Sequence, residues 1–486
     1  MMRIAPPKTP DQPVLIDHRQ AWLPISLILL VAIALYLYKI GSYPLGTDEL
    51  YSVYDAKELT LLHYRPLYFL LLHGWINVSD YEGWLRGLAA LFGLGTIALT
   101  YQLGCYLIGR PVGLVAALVI TLSPIFIDYS QAVRMYSLGN FLSLAGTLAL
   151  TYALHRPSTK TIAGWAIARL LMILTIPLSV TLFLADGLVI YVRFRHRRSI
   201  IVQFGRWLLG VSAAWLPFAI ALVSMKSYYE SSWGNDIQPP SLMHLVRQLK
   251  FHTFWHFRVA SNPIVAELHR ILTALLGVLI GIALVKKHRS PSLRWLAAWM
   301  LLPAITLAAI ASVSSLTLLT RYLMFLSPYM ILLIAAGFKH VWDLQRGIAV
   351  AIACTYLIAT SSGVYHYYTH LDNGVDWRGA NQVIQMNEQP NDAIAVAIPH
   401  GRVAPFISHY YDGTAPIYEI PLPRGADTAS LNQFVDALPP SSSRIWLLFR
   451  KPSRFQIESL QTALTQIFHV QSSQFKGGIH VFLLES

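Results

Sequence analysis

Long apolar segments recur along the first three quarters of the chain. Most are about 17 to 25 residues long, enough for a helix to cross a hydrocarbon core about 30 Å thick. The pattern predicts about eleven membrane-spanning helices, at 22–40, 84–108, 111–127, 134–154, 161–175, 177–192, 205–224, 269–285, 293–311, 321–337 and 347–363. Pro177 interrupts one long apolar stretch, which is therefore either two short helices or one kinked helix.

Basic residues cluster in alternate loops, provided that the stretch around Pro177 is two helices. Because Lys and Arg favour the cytoplasmic side of membrane proteins, we expect these loops and the N-terminus in the cytoplasm. The basic positions are Arg3, Lys8, Arg19, Arg110, Arg156, Lys160, Arg193–Arg198, Lys286–Arg294 and Lys339–Arg346. The opposite loops are expected outside the membrane, at 41–83, 128–134, 225–268, 312–320 and from about residue 364 onward.

Composition supports a membrane protein. Of the 486 residues, 55% are apolar and 13% are charged, whereas soluble chains are about 25% charged. The net charge of +13 follows the cytoplasmic loops. No basic stretch is interleaved with regularly spaced aromatic residues, so we expect contacts with membrane lipids and no nucleic-acid partner. Acidic residues cluster at the predicted helix ends, which disfavours an ion-coupled transporter.

From about residue 364 the composition becomes that of a water-soluble domain. Four strand-like apolar runs alternate with helix-like stretches, which predicts a small α/β domain outside the membrane. The runs are Ala393–Ile398, Ala415–Ile420, Ile445–Phe449 and Ile479–Leu484, and the helical stretches are Gly379–Met386, Leu431–Leu438 and Gln456–Phe468. The segment has no Gly-rich phosphate loop and no nucleophile elbow. We therefore divide the chain into a membrane domain, 1–363, that carries the chemistry and a domain, 364–486, that does not.

Two adjacent carboxylates, Asp48 and Glu49, follow the first apolar segment within the stretch 46–51, which reads GTDELY. Water, substrate and a low-dielectric wall meet at the mouth of a helix bundle, and a carboxylate there can act as a general base. The same acids would otherwise only stabilise a helix start behind Thr47. Further along, 50–59 and 66–77 have apolar faces suited to lying along the membrane surface.

Several short motifs extend from the acidic pair along the chain. They are Asp48-Glu49, Arg65 before Pro66-Leu67-Tyr68, Arg86, Ser123-Pro124, Tyr129-Ser130-Gln131, Arg134-Met135-Tyr136, Arg321-Tyr322 and Pro328. In this order and topological placement, they resemble the membrane-embedded glycosyltransferases of the C superfold (GT-C). The branch they resemble most is the bacterial relatives of protein O-mannosyltransferases, in glycosyltransferase family 39, and of the lipid A aminoarabinose transferase. The resemblance covers nearly the whole chain and is strongest over 41–140.

The resemblance implies a transferase in a plasma membrane, of the bacterial inner-membrane kind. It would move a sugar from a polyprenyl-phosphate carrier to an acceptor hydroxyl at the outer face, with inversion of the anomeric centre. Asp48 matches the family's catalytic aspartate and would accept the proton of the attacking hydroxyl. The acceptor is a hydroxyl on a lipid, a protein or a glycan, since all three look alike to a general base.

The remaining candidates support this reaction. Glu49 and Asp128 would hold a divalent cation, Mg or Mn, or orient the acceptor, and the alternative is that they are solvated loop acids. Arg65, Arg134 and Arg321 would bind the donor phosphate, because a guanidinium holds two phosphate oxygens. The alternative for these arginines is a membrane-surface position from which they reach lipid headgroups.

Aromatic and histidine side chains complete the list of possible substrate contacts. Four lie close to the acidic and basic motifs, namely His63, Tyr68, Tyr136 and Tyr322. Others lie in the loop 225–268, where interfacial aromatics also occur without a ligand. These are Tyr228, Tyr229, Trp233, His244, His252, Trp255 and His256.

Two other classes of protein have a similar helix count. One is a lipid or polysaccharide transporter, which would need internal repeats or paired broken helices that the sequence does not show. The other is a non-catalytic membrane scaffold whose outer domain recruits partners. Either would tolerate Asp48→Asn, whereas an inverting transferase would not.

Overall fold

The structure is a computed structural model of the whole chain. It describes residues 18–60, 62, 65–224, 253, 263–285, 291–313, 320–371, 375–398, 404–420, 428–439, 444–450, 457–475 and 478–485.

The described part of residues 18–369 is almost entirely helical. The α-helices are α1 (His18–Leu37), α2 (Thr47–Lys57), α3 (Pro66–Ile76), α4 (Glu82–Leu107), α5 (Arg110–Leu122), α6 (Pro124–Ser130), α7 (Tyr136–His155), α8 (Thr159–Ile173), α9 (Leu182–Phe194), α10 (Arg198–Ser224), α11 (Pro263–Val285), α12 (Pro291–Val313), α13 (Ser327–Leu344) and α14 (Arg346–Thr369). Two 3-10 helices, Pro177–Thr181 and Thr320–Leu326, lie between them.

All eleven predicted apolar segments are helical, and the chain is a multi-pass membrane protein. Over the described ranges, eight helices are long and apolar enough to cross a membrane, or nine if the bent pair α5 and α6 is one span. Helix α8 has 15 residues, and the apolar part of α1, Trp22–Leu37, is also shorter than the eight. Pro177 separates two helices, as the charge pattern predicted, because α8 ends before it and a 3-10 turn leads into α9.

The chain bends sharply between α5 and α6. The two helices meet at an angle of 66°. Ser123, at the joint, has extended backbone angles (φ −69°, ψ 120°), because the ring of Pro124 disfavours a helical conformation in the residue before it. After the bend, the turn at 131–135 lies beside α1 and α2, because Gln131 donates to the carbonyl of Tyr36 and Arg134 donates to the carbonyl of Asp48.

Close helix packing holds the first half of the bundle together. Helices α4 and α5 approach so closely that a Cβ atom on Gly104 would lie 2.6 Å from the Cα atom of Gly113. Such an approach allows only glycine at both positions.

A buried ion pair ties four helices in the second half. Asp186, inside α9, accepts hydrogen bonds from Arg169 of α8 at 2.7 and 3.0 Å. It also accepts the indole N–H of Trp165 and of Trp299, each at 2.8 Å. Arg169 donates further to Ser143 and Thr147 of α7. Asp186 is thus an exception to the predicted clustering of acids at helix ends, and it is tolerated inside an apolar helix because its partners satisfy the charge.

The C-terminal segment forms a five-stranded sheet in the order β2-β1-β3-β5-β4. The elements are α15 (Trp377–Asn387), β1 (Ala393–Ala397), α16 (Ala404–Ile407), β2 (Ile417–Glu419), α17 (Thr428–Asp436), β3 (Arg444–Arg450), α18 (Ile457–Thr465), β4 (His469–Phe475) and β5 (Ile479–Glu485). Strands β1, β2 and β3 are parallel, and β5 pairs antiparallel with β3 and β4. The four predicted strands are present, whereas β4 was missed because this mostly exposed edge strand has few apolar residues.

The sheet domain docks on the start of the membrane bundle. The Tyr410 hydroxyl accepts the backbone N–H of Leu45 at 2.7 Å and donates to Glu82 at 3.3 Å. The ring of Phe406 packs edge-on against Tyr51 of α2, with centroids 5.2 Å apart. The docked surface therefore covers the same short helix that carries Asp48.

Candidate active site

Asp48 lies in the first turn of α2 and opens to solvent. Gly46, the residue that caps the helix, has extended backbone angles, and residues 47 to 57 continue as helix. The Asp48 carboxylate accepts a hydrogen bond from Arg321 at 2.9 Å, and its side chain is 43% exposed. An exposed carboxylate held by one guanidinium keeps a free oxygen edge towards the solvent, which a general base requires.

Glu49, the next residue, has a different environment from the one expected. Its carboxylate accepts both Arg86 Nε at 3.0 Å and Arg86 Nη2 at 2.8 Å. It also accepts the backbone N–H groups of Gly46 at 2.8 Å and Val133 at 2.9 Å. Each carboxylate oxygen thus accepts two hydrogen bonds inside the protein. Glu49 is only 9% exposed, so the alternative of a solvated loop acid is wrong.

Arg86 organises the loop that leads into α2. Besides Glu49, its guanidinium donates to the carbonyls of Ile40, Tyr43 and Pro44 at 2.9 to 3.0 Å. All five N–H donors of this fully buried arginine therefore have acceptors. Its guanidinium carbon lies 3.8 Å from the centroid of the Tyr43 ring. Burial raises the pKa of Tyr43 to about 12, although the positive charge of Arg86 opposes that increase.

Two of the predicted phosphate-binding arginines meet at Asp48. Arg134 donates through Nη1 to the backbone carbonyl of Asp48 and to the hydroxyl of Ser52, both at 3.0 Å. Arg321, from the 3-10 helix before α13, bonds the Asp48 carboxylate from another side. The Nε atoms of both arginines are buried without a hydrogen-bond partner among the described residues. Buried guanidinium N–H groups are normally satisfied, so this pair is suited to receive an anion.

The tyrosines predicted to contact the substrate lie near Arg134 and Arg321. The guanidinium of Arg134 is 5.8 Å from the Tyr136 ring centroid, and that of Arg321 is 5.8 Å from the Tyr322 ring centroid. Tyr68, in α3, is buried. Burial raises the pKa of Tyr68, and the positive charge of Arg134 opposes that increase. The electrostatic effect shows that the two side chains lie near each other.

Arg65 and His63 complete the predicted set in the first loop. Arg65 is the half-buried residue that precedes α3. His63 lies outside the described residues, as do the aromatic and histidine candidates of the loop 225–268.

The predicted metal ligands do not form a cation site in the described part of the chain. There, no three His, Cys, Asp or Glu side chains come together as ligands for a metal ion. The four acceptor positions of Glu49 are filled by protein N–H groups. Asp128, at the end of α6, is half-buried and acts electrostatically on Tyr129 together with Arg134 and Arg321. Glu49 therefore keeps no acceptor position for a divalent cation, and Asp128 is not part of a group of three such ligands within the described residues.

Arg450, at the end of β3, was not anticipated as part of the site. Its Nη1 donates to the Thr47 hydroxyl at 3.3 Å, and the indole N–H of Trp377 reaches the same hydroxyl at 3.4 Å. Only its place at the carboxyl end of a buried strand could have indicated a role, since side chains there often line sites in α/β sheets.

Solved structures with the same architecture are membrane transferases. No protein-family model matches the sequence, and no curated protein matches it significantly. ArnT from Cupriavidus metallidurans is 12% identical in its apo state, with a TM-score of 0.61 over 96% of this chain and 98% of that chain. The same protein bound to undecaprenyl phosphate gives a TM-score of 0.59 over 95% and 98%.

A second neighbour comes from an archaeon. The oligosaccharyltransferase AglB from Archaeoglobus fulgidus, in complex with an inhibitory peptide and a dolichol-phosphate, is 12% identical. Its TM-score is 0.52, over 96% of this chain and 74% of that chain. At these identities the likeness concerns the fold alone, and it confirms the predicted architecture: the chain has the GT-C fold, a polytopic helical membrane domain followed by a small C-terminal sheet domain.

Proposed function

We propose that this protein is a glycosyltransferase that moves a sugar from a polyprenyl-phosphate donor to an acceptor hydroxyl. The main support is the pairing of an exposed carboxylate, Asp48, with Arg321 and Arg134, whose buried Nε–H groups have no hydrogen-bond partner among the described residues. A base and an anion site therefore share one opening. Similarity to proteins solved with undecaprenyl phosphate and dolichol-phosphate supports a polyprenyl carrier as the source of the anion.

The donor's phosphodiester binds to Arg134 and Arg321, and Arg65 adds a third cation from the start of α3. As the bond between the anomeric carbon and the phosphate oxygen breaks, the leaving polyprenyl phosphate gains a negative charge. The guanidinium groups stabilise that charge. The half-buried Tyr322 lies beside Arg321 and contacts the sugar or the phosphate, whereas Tyr68 and Tyr136, which are buried, flank Arg134.

Asp48 removes the proton from the acceptor hydroxyl as its oxygen attacks the anomeric carbon. One C–O bond forms as the other breaks, the proton goes to Asp48, and attack opposite the phosphate inverts the anomeric centre. Arg321 touches the carboxylate on one side, so it positions the base and the leaving group together. Glu49 supports this step because its hydrogen bonds to Arg86 fix the start of α2. The proposed reaction uses no metal ion.

The topology follows from the charge pattern. We place the protein in a plasma membrane, of the bacterial inner-membrane kind, with the N-terminus in the cytoplasm and the Asp48 end outside. Residues 1–363 form the catalytic membrane domain, and 364–486 form an extracytoplasmic domain. The donor then reaches Arg134 and Arg321 laterally from the outer leaflet.

Turnover of labelled polyprenyl-phosphate sugars by purified protein in lipid tests the proposal. Several sugars are offered in parallel, with a membrane extract as the source of acceptor. We expect wild type to consume one donor, Asp48→Asn to consume none, and the control Glu58→Gln, at the exposed end of the same helix, to match wild type. Equal turnover by Asp48→Asn, or a wild type that neither consumes nor binds any donor, would leave a transporter or a scaffold as the better description.

A further inference from the structure

The C-terminal sheet domain places one cation at the catalytic opening. Arg450 is the last residue of β3, and its guanidinium reaches Thr47, which directly precedes Asp48. The contact joins residues 403 positions apart in the sequence. The C-terminal domain, which we expected to carry no chemistry, therefore lies within reach of the proposed base.

Arg450 makes few hydrogen bonds within the described residues for a partly buried arginine. Its single hydrogen bond within the described residues is the long one to the neutral Thr47 hydroxyl, so most of its five N–H donors remain available. Arg444, at the opposite end of the same strand, instead forms ion pairs with Asp392 and Glu485. Burial lowers the pKa of Arg450, and the negative charge of Asp48 opposes that effect.

Among the described residues, positive charge exceeds negative charge around Asp48, even when Asp128, which acts on Tyr129 together with Arg134 and Arg321, is counted. Arg134, Arg321 and Arg450 approach it from three parts of the chain, and Asp48 is the carboxylate that Arg321 already uses. Glu49 cannot balance the others because it is committed to Arg86. Partly desolvated cations without a counter-ion are stabilised when an anion binds.

Arg450 is not needed to dock the sheet domain. Tyr410 bonds Leu45 and Glu82, Arg378 lies 3.4 Å from Glu82, and Phe406 packs on Tyr51. Losing one 3.3 Å bond to a hydroxyl should leave this interface in place.

We propose that Arg450 is an anion-binding residue of the catalytic cleft, so that the substrate site is shared between the membrane domain and the C-terminal sheet. This inference rests on the proposed function. The anion is a phosphate or carboxylate of a substrate, and it belongs either to the donor or to a charged acceptor. Arg450 approaches from the Thr47 side, whereas Arg134 and Arg321 approach from the bundle.

Binding to full-length protein in nanodiscs of neutral phosphatidylcholine tests the proposal. The probes are undecaprenyl phosphate and, on protein saturated with it, inorganic phosphate. Arg450→Gln should weaken at least one of them about tenfold, as expected for loss of a charge-assisted hydrogen bond. Thr47→Val removes the hydroxyl that accepts hydrogen bonds from Arg450 and Trp377 but keeps the Arg450 cation. Arg270→Gln removes an arginine elsewhere in the protein whose side chain is 74% exposed. Both controls should bind like wild type.

The two probes identify the source of the anion. Weaker undecaprenyl phosphate binding in Arg450→Gln assigns the residue to the donor, and weaker inorganic phosphate binding alone assigns it to the acceptor. Unchanged binding of both probes, or an equal loss in Thr47→Val, would overturn the proposal and leave a docking contact. Failure of wild type to bind undecaprenyl phosphate would instead count against the transferase proposal, and inorganic phosphate binding would still decide the role of Arg450.

Discussion

Replacing Glu49 by Gln should destabilise the protein strongly although it removes only one charge. Each carboxylate oxygen accepts two N–H donors, namely one from Arg86 and one from the backbone of Gly46 or Val133. Whichever way a glutamine amide is turned, its NH₂ group faces two of these donors. Arg86, which is fully buried, also loses its counter-ion. Breaking a buried ion pair at one partner costs about 3–5 kcal/mol, so we expect a loss of that size.

Unfolding of the purified protein in mixed detergent and sodium dodecyl sulfate, followed by circular dichroism, measures the effect. Glu58→Gln is the matched control, because Glu58 is exposed at the end of the same helix.

A Glu49→Gln protein whose unfolding free energy stays within about 0.5 kcal/mol of wild type, the range of ordinary surface substitutions, would show that Glu49 does not hold Arg86 and the loop before α2 in place. If that stable variant also lost a response to added Mg, Glu49 would be a cation ligand, as the sequence first indicated. A stability loss without any change in the response to Mg supports the structural role.

Three further predictions concern other parts of the molecule. Arg321→Ala should weaken undecaprenyl phosphate binding about tenfold while the unfolding midpoint stays near that of wild type, because the residue is partly exposed and its one ion pair is at the opening; unchanged affinity in a binding titration would remove it from the phosphate site. Asp186→Asn should cost about 3–5 kcal/mol in the same detergent unfolding assay, since Arg169 would stay buried without a counter-ion; a wild-type midpoint would contradict this. Burial and then the charge of Lys57 lower the pKa of His409, so the unfolded chain binds more protons and stability should fall as the pH decreases below about 6.5. Unfolding midpoints from pH 5 to 8 should depend less on pH in His409→Asn, and equal slopes would show that His409 does not contribute.

Much of the membrane fold could be predicted from hydropathy alone. Apolar length defines a membrane helix because lipid offers no hydrogen bonds to the backbone, so each predicted span is helical. Two of the predicted spans, in α1 and α8, are nevertheless shorter than the others, and 111–127 is bent at Ser123. Pro177 and the basic loops were enough to divide one apolar stretch into two helices. Strand β4 was missed because it lies at a sheet edge, where few positions need to be apolar.

Charge inside the bundle was harder to predict. Arg169 and Asp186 lie 17 positions apart and on different helices, and their pairing appears only when the helices pack. The sequence indicated such a pair only through single charged residues within apolar runs. An unpaired charge is costly in lipid, so each of these residues needs a partner.

The candidate site was predicted in part. Asp48 and the arginines at 134 and 321 converge, yet the sequence could not separate the environments of the neighbours Asp48 and Glu49. One side chain points to solvent and the other to Arg86, a difference of about 100° around a helix. Arg450 carried no local signal, because its contact with Thr47 depends on the docking of a separate domain.

The long sequence separations at Asp48 also bear on how the protein is made. Arg321 follows Asp48 by 273 positions, and the contact from Arg450 to Thr47 spans 403 positions. At a translation rate of about 5–20 residues per second, the carboxylate waits tens of seconds for these partners. The surroundings of Asp48 are therefore completed only after several hundred further residues have been synthesised, and until then α2 holds the carboxylate without these two arginines.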